Sequence, residues 1–396
     1  MNLDALIEIS RYYGKNPDYV LAGGGNTSWK DKDTLYVKAS GAALADAAPE
    51  SFVKLDREAL AIMMKKDYPQ PGEDDPFGSQ RESVVLSDMM AARKIGEENK
   101  RPSVEALLHA ILPFAFVVHL HPALVNGLTC SVRGEAAMKD IFATEAIWIP
   151  IANPGYELAK IIKTVADAYS AAHGKAAAIL FLQNHGVFVG DNSINGIKEI
   201  YGKIMCKIGA WIKRQPDFSD EKRIMGSREQ GAVSRDSRLN NTHSSFPIPH
   251  SLYTVLQTLE ELAGAATFMQ SKEIFALVKD RASFAPVASV FTPDHIVYSG
   301  SNPLFVEANQ DIRGAWKDHA DKTGRNPKTV AVQGLGVFGA AAAEKAASLA
   351  LDLFKDAVKV AAYSESFGGP RFMKQDKIDF INNWEVERYR SNVSTK

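Results

Sequence analysis

Two cysteines, Cys130 and Cys206, are all that the 396-residue chain contains. So few exclude a disulfide framework, and a reducing cytoplasm is the expected setting. Charge is equally sparing: 46 Lys and Arg against 47 Asp and Glu leave a net charge of −1, so no basic surface points to nucleic acid or an anionic membrane. No apolar run reaches the roughly 18 residues of a spanning helix. The first turns mix Asp4, Glu8 and Arg11 into their apolar residues, so no signal peptide is expected. No Gly-Lys-Ser/Thr follows a glycine-rich loop, which excludes a nucleotide P-loop. What remains, 45% hydrophobic and 23% charged residues, is the composition of a globular protein large enough for about two domains.

Against that plain background one stretch stands out. Arg101-Pro-Ser-Val-Glu-Ala-Leu-Leu-His-Ala-Ile-Leu-Pro113 reads as a short helix broken by its second proline. An apolar strand over 114–118 follows and ends in His119-Leu-His121. Side chains two apart on a strand share a face, so His119 and His121 offer two imidazoles side by side. Glu105 lies early on the preceding helix. A second apolar strand over 177–182 runs into Gln183-Asn184-His185-Gly186, which places a third imidazole at a tight turn. Three imidazoles and a carboxylate suit a four-coordinate transition metal, zinc by default, with one position open when the carboxylate moves away.

In chain order, residues 2–13 have the spacing of an amphipathic helix. Gly23-Gly-Gly25-Asn26-Thr-Ser28 reads as a loop whose bare backbone can wrap an anion. A strand over 33–38 leads to a second small-residue turn, Ala39-Ser40-Gly41, with Lys38 beside it, and the two loops together suggest phosphate binding. Helices are expected over 56–66, 82–95, 155–172 and 193–213, with a loop over 68–76 and a strand over 146–149. Strands alternating with helices predict an α/β layer fold with a central sheet. The polar, aperiodic stretch 215–249 reads as a linker or mobile loop, with His243 and His250 as solvated histidines. The domains expected are therefore 1–215, a linker over 216–249, and a smaller α/β domain over 250–396. Within the last, helices are expected over 252–265, 271–279, 307–319 and 341–361, and strands over 295–298 and 329–333.

Gly334-Leu-Gly336-Val-Phe-Gly339 fits the dinucleotide-binding fingerprint, but too little chain follows it to build a mononucleotide-binding half. A different comparison fits better. Gln333-Gly-Leu-Gly-Val-Phe338 matches Gln183-Asn-His-Gly-Val-Phe188 at four of six positions, with Leu335 standing where His185 stands. The C-terminal domain could thus hold a shortened copy of the first fold, without its metal ligands.

Gly24-Gly-Asn-Thr-Ser28, Leu35-Tyr-Val-Lys-Ala-Ser-Gly41, Arg101-Pro-Ser-Val-Glu-Ala-Leu-Leu-His109, His119-Leu-His121 and Asn184-His-Gly186, in this order, resemble the class II aldolase/adducin superfamily. The segment 327–339 and Asn383-Trp-Glu-Val-Glu387 extend the likeness to the aldolase portion of bacterial fusions between a rhamnulose-phosphate-type aldolase and a short-chain dehydrogenase, here without the dehydrogenase part. The resemblance implies a three-layer fold and a zinc-type ion held by His119, His121 and His185. It implies Glu105 as a ligand in the resting site and as the acid/base during turnover. It further implies a phosphate cradle from Asn26, Ser40, Gly41 and Ser103, to which the loop reading adds Gly25 and Lys38 as substrate- or phosphate-binding residues, a sugar or sugar-phosphate substrate cleaved through a metal-stabilised enediolate, and a homo-oligomer, usually a tetramer. Two positions depart from the pattern. Val104 stands where many relatives carry a second serine, and Ile151 follows Pro150 where many aldolases carry a proton-donating tyrosine, with Tyr156 nearby. A sugar-phosphate 4-epimerase or dehydratase of the same superfamily shares the motifs, and a non-catalytic adducin-like module shares the fold.

Overall fold

The computed structural model describes residues 2–72, 75, 78–226 and 251–386. Most of the predicted linker, with His243 and His250, lies outside the described residues, as do part of the 68–76 loop and the chain from 387 on. The described chain divides into two compact units. One runs to Lys213 and resumes at Tyr363; the other is Arg214–Ala362. The C-terminal segment thus groups with the first unit, where the sequence placed it with the second. Its Phe367 is buried in a first-unit core beside Val125 and Leu128.

The first unit holds β1 (Asn26–Lys30), β2 (Thr34–Lys38), β3 (Phe52–Asp56), β4 (Phe116–Leu120), β5 (Ile147–Ile149), β6 (Ile179–Leu182) and β7 (Gly186–Asp191). They form one sheet in the order β3-β2-β1-β4-β7-β6-β5. Only β5 and β6 pair in parallel; the other neighbours are antiparallel. Alternation along β4 separates two cores. Val117 packs on one face with Leu107, Leu108 and Ile162, while Phe116, Val118 and Leu120 pack on the other with Leu6, Val125 and Ile204. Helices Ala106–Ile111 and Tyr156–His173 cover the first face, and Leu3–Gly14, Ala123–Thr129 and Ile194–Gly209 the second. The result is the expected three-layer α/β fold, with the odd-numbered residues of β4, and so His119, on the first face. Local signals fix the helix ends: Asp56 and Ser193 accept the backbone N–H of Ala59 and Gly196, and Gly174 closes Tyr156–His173 at φ 66°.

The second unit holds β8 (Lys222–Met225), β9 (Ala265–Gln270), β10 (Leu304–Val306), β11 (Thr329–Val332) and β12 (Gly336–Ala341) in the order β10-β11-β12-β9-β8. β10 runs parallel to β11, and the remaining pairs are antiparallel. Leu252–Ala263 and Ile312–Thr323 pack on its core through Leu256, Leu259 and Trp316. Two expectations change here: Lys222–Met225 is a strand inside the stretch 216–249 read as a linker, and 295–298 is not a strand. The supposed strand over 295–298 is one wide helical turn, His295–Ser299, entered through a tighter bond from Ile296 N–H to Thr292 O. Its run of buried apolar residues carries no period that could tell strand from helix. The strands Ala265–Gln270 and Leu304–Val306 lay in stretches to which the sequence reading gave no element, apart from Ala265 at a predicted helix end. The glycine fingerprint forms a hairpin, with Gly336 already on a strand antiparallel to β11, and no helix follows it directly.

Candidate metal centre

His119, His121 and His185 come together from the end of β4 and the β6–β7 turn. One ring nitrogen from each lies within 4.8 Å of the others. His119 and His121 approach through their Nε2 atoms at 2.9 Å. Glu105 Oε1 lies 3.7 Å from His119 Nε2 and 3.5 Å from His185 Nε2. That oxygen is buried and accepts no hydrogen bond, whereas Oε2 accepts the amide of Asn26 at 2.5 Å. A buried carboxylate oxygen left without a donor, facing the ring nitrogens of His119 and His185 beside a third imidazole, is what a cation would satisfy. The donor set therefore fits a metal ion.

The scaffold behind the rings explains their aim. His119 Nδ1 lies 3.1 Å from Val187 O. A carbonyl can only accept, so Nδ1 carries the proton and Nε2 of the neutral ring presents its lone pair. The same ring stacks on Phe188 at 4.0 Å and 9°, its partner across β4 and β7. Tyr201 donates its hydroxyl to Val118 O and Val187 O, tying the two strands behind the site. Gly186 sits where a Cβ would lie 2.5 Å from Leu120 O and 2.7 Å from the His121 ring. Gly186→Ala is expected to push that ring aside and to destabilise the fold by about 1–3 kcal/mol, as overpacking does. A urea melt and a metal titration on the same protein check both effects; an unshifted midpoint would show that the turn yields without strain.

The other predicted residues lie on neighbouring segments. Asn26 pairs with His119 across β1 and β4, and its amide holds Glu105. Asn26, Thr27 and Ser28 are strand residues, so the predicted loop is shorter than expected. Gly25, at φ 63°, lies where a Cβ would meet His119 O at 2.8 Å. Lys38 donates to Gly23 O and Ala42 O, bracing the two small-residue turns against each other. Ser40 N–H bonds Arg101 O and Ser103 N–H bonds Lys38 O, which zips the Ser40–Gly41 turn to the segment leading into Glu105. Ser103 is buried, and its Oγ accepts from Glu105 N–H at 3.3 Å. Tyr156 turns its hydroxyl to Lys66 O at 3.1 Å.

Sequence reasoning missed one buried cluster under the helix that starts at Glu105. His109 Nδ1 meets Ser28 Oγ at 2.7 Å, and Lys30 Nζ donates to His109 O at 2.6 Å. Burial, with Lys30 and Lys38 adding repulsion, holds His109 down to about 3, so its ring is neutral. Burial, with a small contribution from Arg57, lowers Lys30 to about 7. Below that pH the folded protein must keep an ammonium in a dry site. Between about 7 and the unfolded value of 10.5 the unfolded chain holds that proton and the folded chain does not, so stability rises with pH. Lys30→Met is expected to flatten that rise, on the order of 2–3 kcal/mol between about pH 7 and 9.5. Urea midpoints of both proteins at the two pH values measure it, and parallel curves would count against the dry-ammonium account.

With this geometry in place, comparison with known proteins decides the family. Residues 4–199 match the Class II Aldolase and Adducin N-terminal domain. The first half of the chain is a class II aldolase/adducin domain. The chain is 22% identical over 428 aligned positions to "Uncharacterized oxidoreductase YuxG" of Bacillus subtilis (strain 168), covering 98% of this chain and 58% of that protein. It thus spans less than two thirds of that relative's length. Among solved structures it is similar to the N-terminal class II aldolase domain of a conserved protein from Thermoplasma acidophilum, at 24% identity and a TM-score of 0.44 over 53% of this chain and 93% of that one. It is also similar to an L-fuculose-1-phosphate aldolase from Thermus thermophilus, at 16% identity and a TM-score of 0.33 over 52% and 90%. All three histidines and Glu105 fall inside the matched class II aldolase/adducin domain. Among the described residues no helix is long and apolar enough to cross a membrane, and Cys130 and Cys206 are both in the thiol form.

Proposed function

We propose that this protein is a metal-dependent class II aldolase that cleaves a ketose 1-phosphate or a related sugar. The observation that carries the reading is the buried Glu105 oxygen without a hydrogen bond, set against three converging imidazoles. His119, His121 and His185 would hold a divalent ion, zinc by preference, whose Lewis acidity stabilises the negative charge left on a ketose fragment when its carbon–carbon bond breaks. Glu105 moves the proton through Oε1. Asn26 keeps the other oxygen fixed, so the carboxylate turns as a unit about one hydrogen bond. Ser40, Gly41 and Ser103 hold the phosphate end, and binding energy from that remote group orients the bond to be broken. A homo-oligomer in the cytoplasm is the working form.

The second unit supports one metal per chain. Phe338 pairs with Phe268 as Phe188 pairs with His119. Carried along β9, that register sets Phe268, Gln270 and Leu335 at the positions of the three histidines. We read this unit as a degenerate partial repeat without ligands. The test is a panel of ketose 1-phosphates with zinc added to the purified protein, together with metal analysis. Two carbonyl fragments and one zinc per chain are expected. A single isomeric product would replace the aldolase by an epimerase, and metal-free protein without turnover would leave a binding module.

A further inference from the structure

Asn184 precedes the third histidine and adopts the left-handed conformation, at φ 55°, which an asparagine side chain tolerates but glycine enters freely. The second unit contains the same turn. There the corresponding residue is Gly334, at φ 72°, its N–H bonding Val278 O as Asn184 N–H bonds Thr129 O. The backbone alone therefore does not require asparagine. The side-chain amide has a use that glycine cannot fill: Nδ2 donates at 2.8 Å to Arg371 O, 187 residues on.

The Arg371 segment is itself clipped to the chain beside the site. Arg371 N–H bonds Cys130 O at 2.7 Å, Val132 N–H bonds Gly369 O, and Arg133 N–H bonds Phe367 O. Asn126, on the helix that follows His121, reaches His121 O with its amide and accepts the Thr129 hydroxyl. Asn126, Thr129 and Asn184 are all buried. A continuous polar chain thus runs from the second histidine's backbone through Asn126, Thr129 and Asn184 to the Phe367–Arg371 strap. Buried networks of this kind orient ligands whose own atoms they never touch.

We infer that Asn184 is a positioning residue that fixes His185 by tying its turn to the returning chain, so that the metal centre is completed only when the 367–371 strap is docked. The inference rests on the metal reading above. Two full-length variants test it. Asn184→Gly keeps the backbone conformation and removes the amide. Asn184→Asp keeps the shape and sets an acceptor against Arg371 O. Both are expected to bind zinc roughly 10–100-fold more weakly, the usual loss when an outer partner of a ligand is removed. The visible absorption of bound cobalt(II) should shift in both, since it reports ligand geometry, while circular dichroism stays native. Amide exchange at Val132 and Arg371 should speed up in Asn184→Gly. Zinc affinity within twofold of wild type, or an unmoved cobalt spectrum, overturns the inference. Should the wild type itself bind no zinc, the metal reading is at fault. The strap then stands if exchange at Val132 and Arg371 rises and falls if it does not.

Discussion

The His119→Ala protein is expected to come through purification without metal, where the wild type keeps one ion per chain. His119 is the centre of the cluster: its Nε2 lies 2.9 Å from that of His121 and 3.7 Å from Glu105 Oε1. Its other nitrogen is fixed by Val187 O and its face by Phe188. A ligand held at its far nitrogen and across its face needs little reorganisation before it binds, which is why its removal should exceed an outer-partner loss. More than about a hundredfold in affinity is expected, against the roughly 10–100-fold of an outer partner. The consequence for stability is separate and measurable. An ion present at a hundred times its dissociation constant stabilises the folded state by about 2.7 kcal/mol. In a unit of this size that is roughly 5–10 °C in melting temperature. Zinc should raise the wild-type melt by that amount and leave His119→Ala unmoved, and a chelator should bring the wild type down to the variant's curve. Retained zinc at one per chain would remove His119 from the ligand set.

How far the site can be read from residues alone follows from what each contact depends on. His119 and His121 were legible because a period of two is a property of one strand, and β4 keeps it. His185 was legible because an apolar strand ending in Asn-His-Gly is a local signal. Asn26 was seen as polar and near a glycine loop, yet its bond to Glu105 depends on the register between β1 and β4, which no local pattern encodes. Lys38 looked like a cation aimed at phosphate; folding brings two backbone carbonyls to it. Lys30 and His109 form a cluster only once the helix Ala106–Ile111 lies over β1. The same limit hid the C-terminal segment's membership of the first unit, because Phe367 and Arg371 meet residues far away in the chain. Leu304–Val306 was missed for a simpler reason: a three-residue buried strand is too short to show any period.

Glu105→Gln is expected to separate binding from chemistry. The substitution keeps length and shape and removes the negative charge. With Asn26 still donating through Nδ2, the new amide turns its oxygen toward Asn26 and its NH2 toward the histidines. An NH2 group there neither takes nor gives up the proton that the carboxylate oxygen would move. General acid–base catalysis of this kind contributes about 10²–10⁴-fold, and the fall should appear in kcat for retro-aldol cleavage of a ketose 1-phosphate. Zinc should stay near one per chain, because three imidazoles suffice to hold it. KM should change little, since the phosphate end is held by other residues. That pattern, low turnover with metal and substrate still bound, distinguishes a proton carrier from a mere ligand. If Glu105 only anchors the ion, metal content and turnover should fall together. If turnover survives with zinc in place, the proton moves through another group, and the unpartnered Oε1 is no more than an anion balancing the cation beside it.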